Sequence, residues 1–164
     1  MIRVGFTLIG GNNWLGGAHY LRNLMEAVTR YAPGEIQPVL FVGTDVSEAT
    51  LKAFRDLGTC EVVQVGVMND ATRSRALLSA LVLGRYRPFV PALNEQNIDV
   101  VFEAASYFGW RVNMPAIAWM PDFQHRAMPG NFRPLGWLRR ELGFRTQMRS
   151  KRMIMLSSSD ALAA

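Results

Sequence analysis

Two short segments of the sequence concentrate side chains that can bind a ligand or transfer a group. The first is segment 10–17, GGNNWLGG, which contains Asn13 and Trp14 and ends in Gly16 and Gly17. Glycine has no Cβ, so a ligand can approach the main chain, and the unpaired N–H groups at a helix start favour an anion such as a diphosphate. The glycine spacing does not match the dinucleotide fingerprint G-x-G-x-x-G. The segment predicts a ligand contact, and a tight turn built for geometry alone is the alternative.

The second segment, 116–129, reads AIAWMPDFQHRAMP. A strand of buried type ends at a proline and is followed by a loop that carries Asp122, Gln124 and His125. An imidazole beside a carboxylate can carry a proton or hydrogen-bond a sugar hydroxyl. With Trp119, these side chains suit a carbohydrate, whose ring faces are apolar and whose edges form hydrogen bonds. We therefore predict that His125 is catalytic and that Asp122 and Gln124 bind substrate; the alternative is a histidine that packs or lies on the surface.

Further candidates stand close to these segments. His19 lies in the first turn of the helix that follows the glycines, and we predict a ligand contact, with a satisfied helix-end histidine as the alternative. Glu103 and Ser106 follow a short strand and either point at the same cleft or are ordinary solvated loop residues. Cys60 is predicted to pack in the core. The sequence contains neither metal-ligand spacing nor a G-x-S-x-G elbow, so no metal site is predicted.

The order of elements predicts where these segments meet. Hydrophobic patterns predict strands over 2–9, 39–42, 62–65, 99–102, 116–120 and 153–156, and helices over 17–31, 48–57, 72–97 and 135–149. The third helix is interrupted at Pro88 and Pro91, and Asp45 or Ser47 caps the second. Alternation of strands and helices predicts an α/β fold, a doubly wound, mostly parallel sheet with helices on both faces. Ligands bind such sheets at the carboxyl ends of the strands, so the two segments predict a cleft.

Composition limits the class of protein. The 164 residues are 49% hydrophobic and 19% charged with one cysteine, which indicates one globular, cytoplasmic domain in a reducing compartment. The net charge is +5, and region 133–152 holds seven basic residues against one acid, Glu141. A basic helix of this kind can make peripheral contact with anionic lipids, here at the inner membrane face. The alternative is a solvated face balanced by an acidic partner. No nucleic-acid-binding module accompanies the charge, so no nucleic-acid partner is predicted.

Four segments in order carry a resemblance to a known family. They are GGAHYLRNL at 16–24, IDVVFEAAS at 98–106, PAIAWMPDFQHRAMPGNF at 115–132 and MIMLSSSDA at 153–161. Over essentially its whole length, the chain resembles the N-terminal half of a family 4 retaining glycosyltransferase of the GT-B fold. The resemblance implies transfer of a sugar from a nucleotide-sugar co-substrate to a glycan or lipid-linked acceptor, without a metal or other cofactor.

The resemblance also implies a division of labour. Residues 1–164 would form a single Rossmann-like domain that holds the acceptor, and a C-terminal nucleotide-sugar domain would lie outside the chain. The chain is then expected to be inactive alone and to expose Trp14, Trp119 or Phe123. Gly16 and Gly17 would approach the donor diphosphate, and loop 121–129 the donor sugar and acceptor.

Many members of the family have His-Asp where this chain has Pro121-Asp122, which makes the displaced His125 the candidate for that histidine's role. Two alternatives remain open. One is a non-catalytic α/β module that binds a sugar or nucleotide, and the other is a different doubly wound enzyme.

Overall fold

The sheet has six strands, all parallel. The computed structural model of the chain describes residues 1–8, 15–104, 106–150 and 153–156. The strands are β1 (Ile2–Thr7), β2 (Ile36–Val42), β3 (Glu61–Gln64), β4 (Val100–Ala104), β5 (Ala116–Met120) and β6 (Met153–Leu156). Their order across the sheet is β3-β2-β1-β4-β5-β6, and every neighbouring pair is parallel. This is the doubly wound, Rossmann-like α/β fold that the alternation of elements predicts.

Helices lie between successive strands except between β4 and β5. They are α1 (Leu15–Tyr31), α2 (Glu48–Arg55), α3 (Asp70–Leu83), α4 (Val90–Glu95), α5 (Gln124–Ala127) and α6 (Pro134–Arg149), with 3-10 turns at Gly66–Met68, Arg87–Phe89 and Pro129–Asn131. Helices α3 and α4 differ most from the sequence prediction. The helix predicted over 72–97 is divided into α3 and α4, because Gly84 ends α3 in the left-handed region at φ 77°. Pro88 and Pro91 lie in the first turns of the next two elements, where a missing N–H costs nothing.

The alternation of side chains along the strands makes two cores. On one face, Phe6, Phe102 and Trp119 belong to a cluster with Leu21 of α1 and Phe54 of α2. Cys60 is buried in the same cluster, as predicted. Successive side chains of a strand point to opposite faces of the sheet, so the residues next to these in sequence belong to the other core. Helices α1 and α2 cover only the face described here.

The opposite face is covered by α3, α4 and α6. Val101 packs with Leu93 of α4, and Ala118, which shares the face of Val101, packs with Phe144 of α6. Gln147 of α6 donates to the backbone carbonyl of Ser106 at 2.7 Å. These contacts place α6 on the same side of the sheet as α3 and α4.

Two polar side chains start helices at the carboxyl edge of the sheet. Ser47 Oγ accepts from the Thr50 N–H at 3.3 Å and caps α2. Asp45 was the other predicted cap for this helix, but its Oδ2 accepts from the N–H of Asp70, the first residue of α3, at 2.9 Å. Asp45 therefore stabilises the helix that follows β3, and its contact spans 25 residues of sequence.

The strand order reverses between β1 and β4. The chain leaves β1 toward β2 on one side and leaves β4 toward β5 on the other. The connections therefore diverge and leave a crevice outside the carboxyl ends of these strands, which is where open α/β sheets bind ligands.

Candidate functional site

The start of α1 borders this crevice. Gly16 and Gly17 lie in the first turn of α1, which directly follows β1. Gly16 is exposed, and a Cβ built on it meets no described atom within 4 Å. Packing among the described residues therefore does not require glycine at this position. Close approach of a ligand to the main chain is a reason that is consistent with this open space.

The other predicted residues of this segment are only partly described. His19 is exposed on α1, four residues after the helix starts. Its imidazole is therefore accessible to solvent near the start of α1. Asn13 and Trp14 lie outside the described residues, so their predicted ligand contacts stay predictions.

A pair of buried hydroxyls joins the two strands at the switch point. Thr7 Oγ1 lies 2.9 Å from Ser106 Oγ, and both residues are buried. Glu103 is also buried, and its Oε1 accepts from the Phe108 N–H at 3.0 Å. The alternative of ordinary solvated loop residues is thus wrong for both Glu103 and Ser106. The hydroxyl of Ser106 faces Thr7 at the carboxyl ends of β1 and β4.

The aromatic side chains expected at the cleft lie in the core. Trp119 is 2% exposed and stacks on Tyr20 of α1, with ring centroids 4.2 Å apart and an interplanar angle of 11°. Phe123 is buried against Phe144 of α6. The prediction that Trp119 or Phe123 is exposed is therefore wrong, because α1 covers one ring and α6 the other.

The segment after β5 alternates between outward and inward side chains. The sequence predicts a loop here, but α5, a helix of four residues, begins at Gln124. Asp122 is half-buried and its Oδ1 accepts from the Gln124 N–H at 3.1 Å, while the Gln124 side chain is exposed. Phe123 and His125 point inward. Asp122 and Gln124 are therefore the members of this segment that solvent or a ligand can reach.

His125 belongs to a buried charged cluster. Its side chain is 0% exposed, and its Nε2 lies 2.9 Å from Oε2 of Glu141 on α6. Glu141 also accepts from Arg126 Nε at 2.9 Å and from Arg145 Nε at 2.6 Å. These bonds, first that of Arg126 and then those of His125 and Arg145, lower the pKa of Glu141 to about 2 against the opposing effect of burial. The ionised carboxylate only accepts, so His125 Nε2 donates its proton to it.

Aromatic rings enclose the imidazole of His125. The ring centroids of Phe123, Phe132, Trp137 and Phe144 lie between 5.5 and 6.4 Å from it. Trp137 Nε1 also donates to the backbone carbonyl of His125 at 2.6 Å. His125 Nδ1 has no hydrogen-bond partner among the residues that the structure describes.

These contacts correct the prediction of a loop histidine at the cleft. The imidazole is fully enclosed and connects α5 to α6, so it touches no substrate in this conformation. Sequence reasoning did not single out Glu141 as its partner. Two features of the sequence could have indicated it. Glu141 is the one acid in region 133–152, and it precedes Phe144 by three residues, which places both on the buried face of the helix.

Comparison of the chain with protein-family models, with curated proteins and with solved structures found no match. Within the described ranges, none of the helices has both the length and the apolar character needed to cross a membrane.

Proposed function

We propose that this chain is the acceptor-binding domain of a retaining glycosyltransferase that takes its sugar from a nucleotide-sugar donor. The observation that carries the proposal is the position of the switch point between β1 and β4. It brings the start of α1 to the same crevice as the segments that follow β4 and β5. These are three of the four segments on which the family resemblance rests.

In this proposal, some of the described residues bind the donor or the acceptor, and others position the residues that do. Gly16 offers its exposed main chain to the donor diphosphate, whose negative charge increases as the sugar leaves, and the buried Gly17 follows it in the same turn. Asp122 and Gln124 bind acceptor hydroxyls, and His19 contributes a second polar edge. Ser106 and His125 are positioning residues: Ser106 joins β4 to β1, and His125 holds α5 so that Gln124 faces outward.

One half of such a site does not complete the reaction. The nucleotide-binding contacts would come from a second domain facing the crevice, which would exclude water and orient the donor. No metal or other cofactor is part of the proposal. The second candidate, a non-catalytic module that binds a sugar or nucleotide, is favoured by the enclosed His125, because the imidazole that the sequence assigns to proton transfer is fully buried.

Ligand binding to the chain tests the site directly. We expect titration with uridine diphosphate to shift the amide signals of Gly16 and Gly17 in a nitrogen–proton NMR spectrum. Titration with a panel of oligosaccharides is expected to shift the side-chain amide signal of Gln124. Shifts confined to α2 and β3, or no shifts at millimolar ligand, would contradict the site.

Transfer of sugar distinguishes the two candidate functions. The protein expressed from the complete gene is incubated with labelled nucleotide sugars and a lipid and glycan extract, and the anomeric configuration of the product is read by NMR. Transfer with retention supports the glycosyltransferase. Binding at the crevice without transfer by the complete gene product would favour the module.

A further inference from the structure

Exposed apolar side chains are concentrated on one side of this molecule. On the side covered by α3 and α6, the exposed set includes Leu78, Val82, Trp110, Leu135, Leu138 and Leu142, with exposed fractions from 45% to 78%. On α1 and α2, Tyr31 is the one large hydrophobic residue that is exposed among those described. Exposed hydrophobic residues also occur at the start of β1, at Met128 and on the edge strand β6, and scattered ones are normal on a protein surface. The largest group lies on this side, and such a group marks an interaction surface.

The spacing of these residues places them on the outward stripes of two helices. Leu78 and Val82 are four residues apart on α3, one turn of helix. Leu135, Leu138 and Leu142 follow the i, i+3, i+7 pattern on α6, opposite the stripe that buries Glu141 and Phe144. Both stripes therefore point away from the sheet on the same side of the molecule.

Trp110 extends the stripe of α3. The N–H of the next residue, Arg111, donates to the carbonyl of Gly84, the residue that ends α3, at 2.7 Å. A Cβ built on Gly84 would lie 2.8 Å from Cε2 of Trp110, so the indole rests directly on the end of the helix. Its 47% exposed fraction leaves the rest of the indole open to solvent.

Charge on this side is mostly positive. Region 70–95, which spans α3 and α4, contains four arginines and two acids, Asp70 and Glu95, one at each end of the region. Region 104–121 contains Arg111 and no acid. Helix α6 carries four arginines and one acid, Glu141, which is buried and neutralised by its own contacts. On α2, by contrast, the cations pair with acids, Lys52 with Asp56 at 2.7 Å and Arg55 with Glu48 at 2.5 Å.

We propose that the face formed by α3, Trp110 and α6 docks on the surface of a lipid bilayer that contains anionic lipids. Leucines of an interfacial helix enter the boundary between headgroups and acyl chains, and arginines flanking them bind lipid phosphates. Tryptophan is favoured at this boundary because its ring is apolar and its N–H is polar. The sequence pointed only to region 133–152; the structure adds α3 and Trp110 to the same side.

Two other occupants fit the surface less well. A second copy docked face to face about a two-fold axis would oppose arginines with arginines, because this face offers no exposed acid on α6 to pair with them. A nucleic acid would satisfy the arginines but would leave the leucine stripes without apolar contact. The inference does not depend on the proposed glycosyltransferase function, since it uses none of the residues at the crevice.

Vesicle flotation tests the docking face. The wild-type chain is mixed with vesicles of phosphatidylcholine alone or of equimolar phosphatidylcholine and phosphatidylglycerol. Two double variants alter exposed residues of α6: Leu135→Ser with Leu142→Ser, and Arg139→Glu with Arg149→Glu. We expect the wild type to float with the anionic vesicles, and each double variant to bind them roughly tenfold more weakly or worse. Raised salt should weaken wild-type binding as well.

Matched controls lie on the opposite side of the molecule. Tyr31→Ser removes an exposed apolar side chain of α1, and Arg30→Glu reverses an exposed charge beside it. Both variants should float as the wild type does, and circular dichroism confirms that every variant is folded. In the wild type, tryptophan fluorescence should shift to the blue with anionic vesicles, and Trp110→Phe should reduce that shift.

Three results would overturn the proposal. They are no flotation of the folded wild type with anionic vesicles, double variants that bind as the controls do, and self-association in sedimentation that the leucine variant abolishes without any vesicle binding. Loss of binding in the double variants alone supports it.

Discussion

His125 Nε2 and Glu141 Oε2 lie 2.9 Å apart, and this contact connects the segment after β5 to α6. The two residues are 16 positions apart in sequence, and Arg126 and Arg145 also donate to the carboxylate of Glu141. Because Asp122 and Gln124 alternate with the buried Phe123 and His125, the cluster sets where these two outward side chains stand. A charged network inside the domain therefore supports the candidate site at its edge.

Removing the carboxylate should destabilise the domain. Glu141→Gln leaves a half-buried Arg126 and a buried His125 without their anionic partner, and we expect a loss of about 2–4 kcal/mol in the free energy of unfolding. Urea unfolding followed by circular dichroism measures this loss. Glu48→Gln breaks an exposed ion pair with Arg55 and, as the control, should cost no more than about 0.5 kcal/mol. Equal losses in the two variants would contradict a structural role for the cluster.

Acid should weaken the fold through the same carboxylate. The folded pKa of Glu141 is lowered from 4.5 to about 2, so the unfolded chain binds the proton more readily than the folded chain between these values. Its stabilising contribution is fully present above about pH 4.5 and is lost as the pH falls toward 2. The urea midpoint of the wild type, measured against pH, should fall more steeply through this window than that of Glu141→Gln. Parallel curves would show that Glu141 is not the responsible group.

Substitution of Gly16 tests whether glycine is needed at this position for ligand binding. A Cβ at this position meets open space among the described atoms, so Gly16→Ala should leave the fold intact and raise its stability by up to about 1 kcal/mol. The methyl group would still obstruct a diphosphate that approaches the main chain, and calorimetry should show weaker binding of uridine diphosphate. Gly143→Ala on α6 is the matched control, because its Cβ also meets open space and it lies away from the crevice. Unchanged binding in Gly16→Ala would remove this glycine from the site.

The hydroxyl pair at the switch point should behave as a coupled unit. Ser106→Ala leaves the buried Thr7 hydroxyl without its partner at 2.9 Å, and a loss of about 1–2 kcal/mol is expected. Thr7→Val should cost a similar amount, and the double variant should cost less than the sum of the two single variants. Unfolding free energies of the four proteins measure the coupling. Strict additivity would show that the two hydroxyls do not bond to each other.

Cys60 should be unreactive while the protein is folded. The thiol is buried beside Met25, with its sulfur 3.6 Å from the methionine sulfur, and burial raises its pKa to about 12. Because the thiolate is the nucleophile, a disulfide reagent at neutral pH should label the chain only as fast as it opens. Labelling in guanidinium, where every thiol is accessible, provides the control. Rapid labelling of the native chain would contradict the burial of Cys60.

Local sequence was sufficient for most of the elements. The strands over 116–120 and 153–156 were predicted to the residue, because each is a short apolar run with a polar or proline boundary. The interruption of region 72–97 at Pro88 and Pro91 was predicted, and these prolines lie in the first turns of the elements that follow α3. The end of α3 at Gly84 was missed, since a single glycine follows a run of good helix formers. Helix α5 was missed because four residues are too few to show a helical period.

The chemistry of the site was harder to assign, for a physical reason. A polar motif reads the same whether its side chains face water or the core, so the sequence selected Asp122, Gln124 and His125 together. Which of them is buried depends on α6 packing against β5, a contact between distant parts of the chain. In the same way, Trp119 is buried by a ring contact with Tyr20, and Ser106 is paired with the Thr7 hydroxyl. Both contacts join residues that are far apart in sequence. Periodicity is a local property and specifies elements, whereas burial and partnership arise only when the parallel strands bring separate segments together.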